Sequence, residues 1–209
     1  MVAVSFDLNL EEGAFLVELA RRTISDYLQS GRVPPVPRDV SSKFLEKCGV
    51  FVTLNSLRGG GEELRGCIGY PTPELPLAEA TIRAAISAAT QDPRFPPLER
   101  KELPRIVVEV SVLTPPMLIS AKEAKLYTRE VQVGRDGLIV EKGWCKGLLL
   151  PQVPVEWHWD CEEFLCHCCM KAGLPPDTWL LPDCKVYKFQ ALVFKEKSPC
   201  GPVEQVILH

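Results

Sequence analysis

At 209 residues the chain is long enough to bury a sizeable core in one large domain or two closely joined subdomains. Its 46% hydrophobic and 24% charged residues are an ordinary globular composition, and no apolar run approaches the roughly 18 residues that a membrane span requires. The net charge of −3 gives the chain as a whole no electrostatic reason to bind nucleic acid.

The segment Met1 to Phe6 is too short to supply the apolar section of a secretory signal before Asp7, Glu11 and Glu12 intervene, so a cytoplasmic protein is expected. Residues 10–29 read as an amphipathic helix, with Phe15, Leu19, Ile24 and Leu28 near helical spacing and Gly31, Pro34 and Pro35 as the stop. Two β-like stretches follow, 50–54 and 64–69, joined through Gly59, Gly60 and Gly61. That loop reads as too long for a two-residue turn, which leaves the register open.

A second helix is expected over residues 77–90, with an alanine-rich side that lets another backbone pack close. On its other side Glu79 and Arg83 are four residues apart, the spacing of an exposed ion pair. Strict alternation over 106–113 predicts a central strand. Glu109 then lies either on a solvated face or along a cleft. Residues 131–133 and 138–140 flank Gly134 and Gly137 and read as a hairpin, whereas 142–159 show no clear period and suggest an ordered loop. Asp160 caps a third helix reaching about Ala172, and a last strand spans 185–194. Helices alternating with hairpins, without repeated parallel crossovers, predict an α+β fold with mainly antiparallel sheet.

The run Leu64-Arg65-Gly66-Cys67-Ile68-Gly69 places one cysteine and one cation on an apolar track between glycines. In a regular strand Arg65 and Cys67 share a face while Leu64 and Ile68 anchor in the core. A neighbouring guanidinium would favour the thiolate, and Gly66 and Gly69 would let a ligand approach the backbone. The plainer alternative is a small buried hydrophobe beside a surface arginine.

This run, with Asp92-Pro93-Arg94-Phe95-Pro96-Pro97-Leu98, Glu102-Leu103-Pro104 and Val110-Ser111-Val112-Leu113-Thr114-Pro115-Pro116, resembles the AMMECR family. Asp136-Gly137-Leu138, Gly147-Leu148-Leu149-Leu150-Pro151-Gln152-Val153, Trp159-Asp160 and Lys171-Ala172-Gly173-Leu174 continue the match. The resemblance covers residues 10–195 and implies a single domain over 1–209 of a larger and a smaller subdomain that interleave along the chain. It also implies a suspected site around Cys67 and a pathway shared with Memo-type proteins and a radical S-adenosylmethionine enzyme.

For a thiolate mechanism Cys67 is the nucleophile or redox thiol and Arg65 stabilises its charge or a bound anion. Asp92 and Arg94 read either as site residues or as a structural ion pair at a turn. Glu156 and His158 precede Trp159, and His158 offers an imidazole for proton transfer, although it is not part of the family motif. His209 is terminal. The nine cysteines are an odd number, and their pairing is not legible in the sequence. Among them Cys161, Cys166, Cys168 and Cys169, with His167, resemble a metal site in composition. On a helix, however, they point to different sides, and Cys161, Phe164, Leu165, Cys168 and Ala172 trace an apolar stripe, so no metal is expected. No nucleotide-binding loop or Gly-x-Ser-x-Gly elbow is present, and the sequence leaves any cofactor unknown. The function expected is binding or modification of a small molecule or partner at a Cys67-centred pocket. The alternatives are a non-enzymatic adaptor and, third, a nucleic-acid-binding regulator.

Overall fold

The computed structural model describes residues 7–119 and 124–206; the readings of Met1 to Phe6 and of His209 lie outside them. The fold is α+β with antiparallel strand pairing, and the chain divides into two compact units. The first comprises the chain up to Leu113 together with Leu192–Val206, and the second comprises Thr114–Ala191.

The first unit begins with α1 (Leu10–Ser30). Asn9 and Glu12 close its first turn as a reciprocal capping box, and Gly31 ends it in the left-handed region at φ 69°. A hairpin follows, β1 (Gly49–Arg58) and β2 (Gly61–Tyr70). Its loop is only Gly59 and Gly60, with φ of 58° and 87°, so the turn is the tight two-residue kind and the strands run further than their apolar residues suggest. Next come α2 (Leu77–Thr90), a 3-10 turn (Arg100–Arg105) and β3 (Ile106–Leu113), which pairs antiparallel with β1. Val52, Leu54, Val108 and Val110 face Leu16, Ala20, Ile82, Ala85 and Ala89 in one buried core. Glu79 and Arg83 form the expected exposed pair on α2, 2.7 Å apart.

The second unit contains β4 (Met117–Leu118), α3 (Ala124–Glu130), β5 (Asp136–Lys142), β6 (Cys145–Leu149), α4 (Gln152–Glu156) and α5 (Cys161–Lys171). Here the hairpin expected between 131–133 and 138–140 is replaced by one between β5 and β6. Its turn centres on Gly143, with φ 59°, inside the stretch that looked aperiodic. The segment before β5 is instead a turn closed by the Asp136 carboxylate, which accepts from the Gln132 N–H at 2.9 Å. On α5, capped by Asp160 as expected, Phe164, Leu165, Cys168 and Cys169 are fully buried. Burial pushes the Cys168 thiol up to about 12, and its sulfur donates toward the Leu138 carbonyl. Among the described residues no three acid, cysteine or histidine side chains converge as metal ligands.

The long strand β7 (Lys185–Glu196) passes from the second unit into the first. Its early residues pair with β5, and its last four pair with β8 (Val203–Val206).

Candidate functional site

The LRGCIG run is the inner half of β2, and its geometry departs from a regular strand at one residue. Gly66 pairs with Leu54 and Leu64 with Asn55, so Arg65 is an extra residue, a β-bulge. The consequence is a change of face. Cys67 lies opposite Thr53, and Thr53 opposite Glu109, on the face turned away from the helices. Arg65 lines a groove with Ser56, on the other side. The expectation that Arg65 and Cys67 share a face is therefore corrected, because the bulge breaks the period of two between them. It also corrects Leu64, which is 43% exposed rather than anchored in the core; Ile68 does pack against the core.

Arg65 is 8% exposed and fully engaged. Its Nε and Nη2 each donate to the Glu102 carboxylate at 2.9 Å, and its Nη1 donates to the Pro96 carbonyl at 2.9 Å. The Phe95 ring lies 6.0 Å from its Cζ. A guanidinium so bound is architecture, and it is what joins LRGCIG to the Phe95-Pro96-Pro97 and Glu102-Leu103-Pro104 motifs.

Asp92 and Arg94 act on the neighbouring residue. β2 is the terminal strand of its sheet, and an unpaired edge leaves backbone groups to satisfy. The Asp92 carboxylate accepts the Cys67 N–H at 2.8 Å, and Arg94 Nη2 donates to the Cys67 carbonyl at 3.3 Å. Arg94 also donates to Asp92 from its backbone N–H, Nε and Nη2. With its side chain 2% exposed, Asp92 is held well below the usual carboxylate range, chiefly by the Arg94 guanidinium and then by these backbone amides. The pair seals the edge of β2 at Cys67.

A depressed carboxyl stabilises the fold fully above its unfolded value and loses that contribution as pH falls through its folded value. The destabilisation caused by Asp92→Asn should accordingly shrink as pH falls from about 5 to about 2. Urea unfolding of both proteins across that range checks this; a gap independent of pH would contradict it.

The glycines do not open the site. A Cβ on Gly66 would sit 2.2 Å from the Ala88 carbonyl oxygen of α2, and one on Gly69 would sit 2.4 Å from the Phe51 ring. The alanine-rich side of α2 thus receives the backbone of β2 itself.

Cys67 is half-buried, and the Thr53 hydroxyl donates to its sulfur at 3.2 Å. Burial raises its thiol above the ordinary value, and the charges of Glu109 and Asp92 add to this. The Thr53 bond and Arg94 pull the other way without overcoming it. The cation that bears on the thiol is Arg94, whose side chain is 53% exposed, and not Arg65. Glu109 stands in the same cross-strand row as Cys67, half-buried rather than on an open face. Glu156 and His158 belong to the second unit, where both are exposed and His158 has φ 55°. Sequence reasoning missed Thr53 and Glu102. Thr53 carries no local signal, whereas Glu102 sits in a family motif.

What the fold and this knot of motifs define is an α+β protein of two units, the first of which carries LRGCIG on an edge strand. The AMMECR1 family model matches residues 17–194, and the chain belongs to the AMMECR1 family. It is 58% identical over 196 residues to a protein of Thermococcus gammatolerans, covering 93% of this chain and 95% of that one. Protein PH0010 of Pyrococcus horikoshii is 57% identical over 201 residues, covering 96% and 97%. The crystal structure of PH0010, titled an uncharacterized protein, superposes with a TM-score of 0.88 at 56% identity, covering 96% of this chain and 99% of that one. Among the described residues no helix is long and apolar enough to cross a membrane.

Proposed function

We propose that the sheet face bearing Cys67, Thr53 and Glu109 binds a small molecule or a segment of a partner. In this reading the protein is a cytosolic component of a modification pathway shared with a Memo-type protein and a radical S-adenosylmethionine enzyme. One observation carries the site: a thiol, a hydroxyl and a carboxylate come from three adjacent strands in one cross-strand row. Neighbouring strands are about 5 Å apart, so Cys67 and Glu109 stand about 10 Å apart with Thr53 between them, and one group bound over the row can touch all three. Cys67 works there as a neutral thiol, a hydrogen-bond donor that becomes a nucleophile only when a base takes its proton.

Alkylation followed by intact-mass measurement tests this. Cys67 should react more slowly than the exposed Cys200 at neutral pH and catch up as pH rises. Glu109→Gln removes a charge that raises the thiol and should speed the reaction, and a purified Memo-type protein should protect Cys67. Fast labelling at neutral pH would overturn the neutral thiol; no protection, with Cys67→Ser and Glu109→Gln both silent in partner capture, would overturn the site.

A non-enzymatic adaptor is favoured by a separate observation, that Arg65, Asp92 and Arg94 spend their hydrogen bonds on one another's loops and on the β2 edge. In an adaptor, Cys67→Ser leaves partner capture intact while substitutions in the proline-rich loops abolish it.

A further inference from the structure

On the helix side of the same strands, away from Cys67, the bulge delivers Arg65 to the wall of a groove of about 640 Å³. Much of its charge is already paired: Arg65 is bound to Glu102, and Lys101 to Glu99. Arg58 and Arg105 are different. Both line the groove, both are exposed, and neither has an ion-pair partner within 4 Å among the described residues, although the Arg58 charge also acts on the Glu102 carboxylate from further off.

Their closeness follows from strand register. Ser56 pairs with Ile106, so Arg58, two residues on along β1, and Arg105, one residue before β3, come to the same end of the sheet. Like charges brought together across strands repel. The remaining titratable lining residue without an ion-pair partner among the described residues is Glu63, whose carboxylate sets a limit on how much negative charge the groove accepts. Beside these charges the exposed Pro96 and Pro97 and the half-buried Phe95 give an apolar wall, held rigid because the Pro96 carbonyl is bound to Arg65. The volume falls within the 300–1,000 Å³ or so of small-molecule sites.

We infer that this groove is a binding site for a small organic anion, its carboxylate or phosphate group between Arg58 and Arg105 and its apolar part on the Phe95-Pro96-Pro97 wall. Two guanidiniums with free donors suit either oxyanion by paired charge-assisted hydrogen bonds. The site is separate from the Cys67 face, so it stands or falls independently of the function proposed above.

Calorimetric titration of the whole chain with citrate and with pyrophosphate tests it, and the tighter probe tells carboxylate from phosphate. Saturable one-to-one binding is expected, weakened roughly tenfold or more by Arg58→Glu or by Arg105→Glu and tightened by Glu63→Gln. All three positions are exposed, and circular dichroism confirms that the variants stay folded. Cys67→Ser should leave the affinity unchanged. Absence of saturable binding of both probes at millimolar concentration would overturn the site, as would binding that persists in the two arginine variants. So would capture of a polyglutamate peptide by a groove that ignores both small anions, which would make it a protein-docking surface.

Discussion

Replacing Glu196 with alanine should lower the unfolding free energy by about 3–5 kcal/mol, the largest loss expected from any single truncation of a charged side chain in the first unit. Glu196 is buried near the end of β7, where its carboxylate accepts from Arg21 of α1 and from the Val108 N–H of β3, the latter at 2.9 Å. The same arginine donates to the Ile106 carbonyl. One ion pair therefore ties a helix to two strands that are far apart in sequence. Removing the carboxylate leaves a guanidinium with little access to water and a buried amide without its acceptor, and both costs add. Urea unfolding with an unchanged slope would measure the loss. The double replacement Arg21→Met with Glu196→Leu should recover much of it, because the stranded charge is gone. A loss below about 1 kcal/mol for Glu196→Ala would show that Arg21 finds another partner.

Gly66→Ala should also be damaging, costing about 1–3 kcal/mol or more. The new methyl would meet the Ala88 carbonyl oxygen at 2.2 Å, and a backbone atom inside α2 has no rotamer by which to move aside. Either α2 lifts from the sheet or β2 shifts at the bulge. The second route would move Cys67 relative to Thr53, so the alkylation rate of Cys67 should change along with stability. Gly61→Ala is the control: its Cβ would meet only the Arg58 carbonyl oxygen, at 4.0 Å, and it should cost little. Equal stability of the two variants would show that the helix–strand approach is not tight.

Elements whose apolar residues repeat strictly were legible in the sequence. α1, α2, β3, α5 and the main run of β7 lie where helical spacing, alternation and capping residues put them, because each buries one face or stripe. Elements set by pairing were not. The hairpin partner of β5 is β6, whose residues alternate too weakly to be read as a strand, and the hairpin is decided by a turn at Gly143 and by the Asp136 bond to Gln132. Of the candidate site residues, Asp92 and Arg94 do meet Cys67, as its backbone partners. Arg65 was placed on the wrong face by one residue of bulge, and Glu109 came beside Thr53 only because β1 pairs with both β2 and β3.

The sequence by itself determined the family and the α+β class and marked the motif residues, since motif order and hydrophobic period are properties of the chain's order and of local geometry. Only the tertiary structure decided what those residues do to each other. Whether Arg65 serves Cys67 or Glu102, and whether Gly66 admits a ligand or a helix, depends on strand register and on which backbone approaches from another part of the chain. A shift of one residue in register moves a side chain to the opposite face of a sheet, and no local pattern in LRGCIG records that shift.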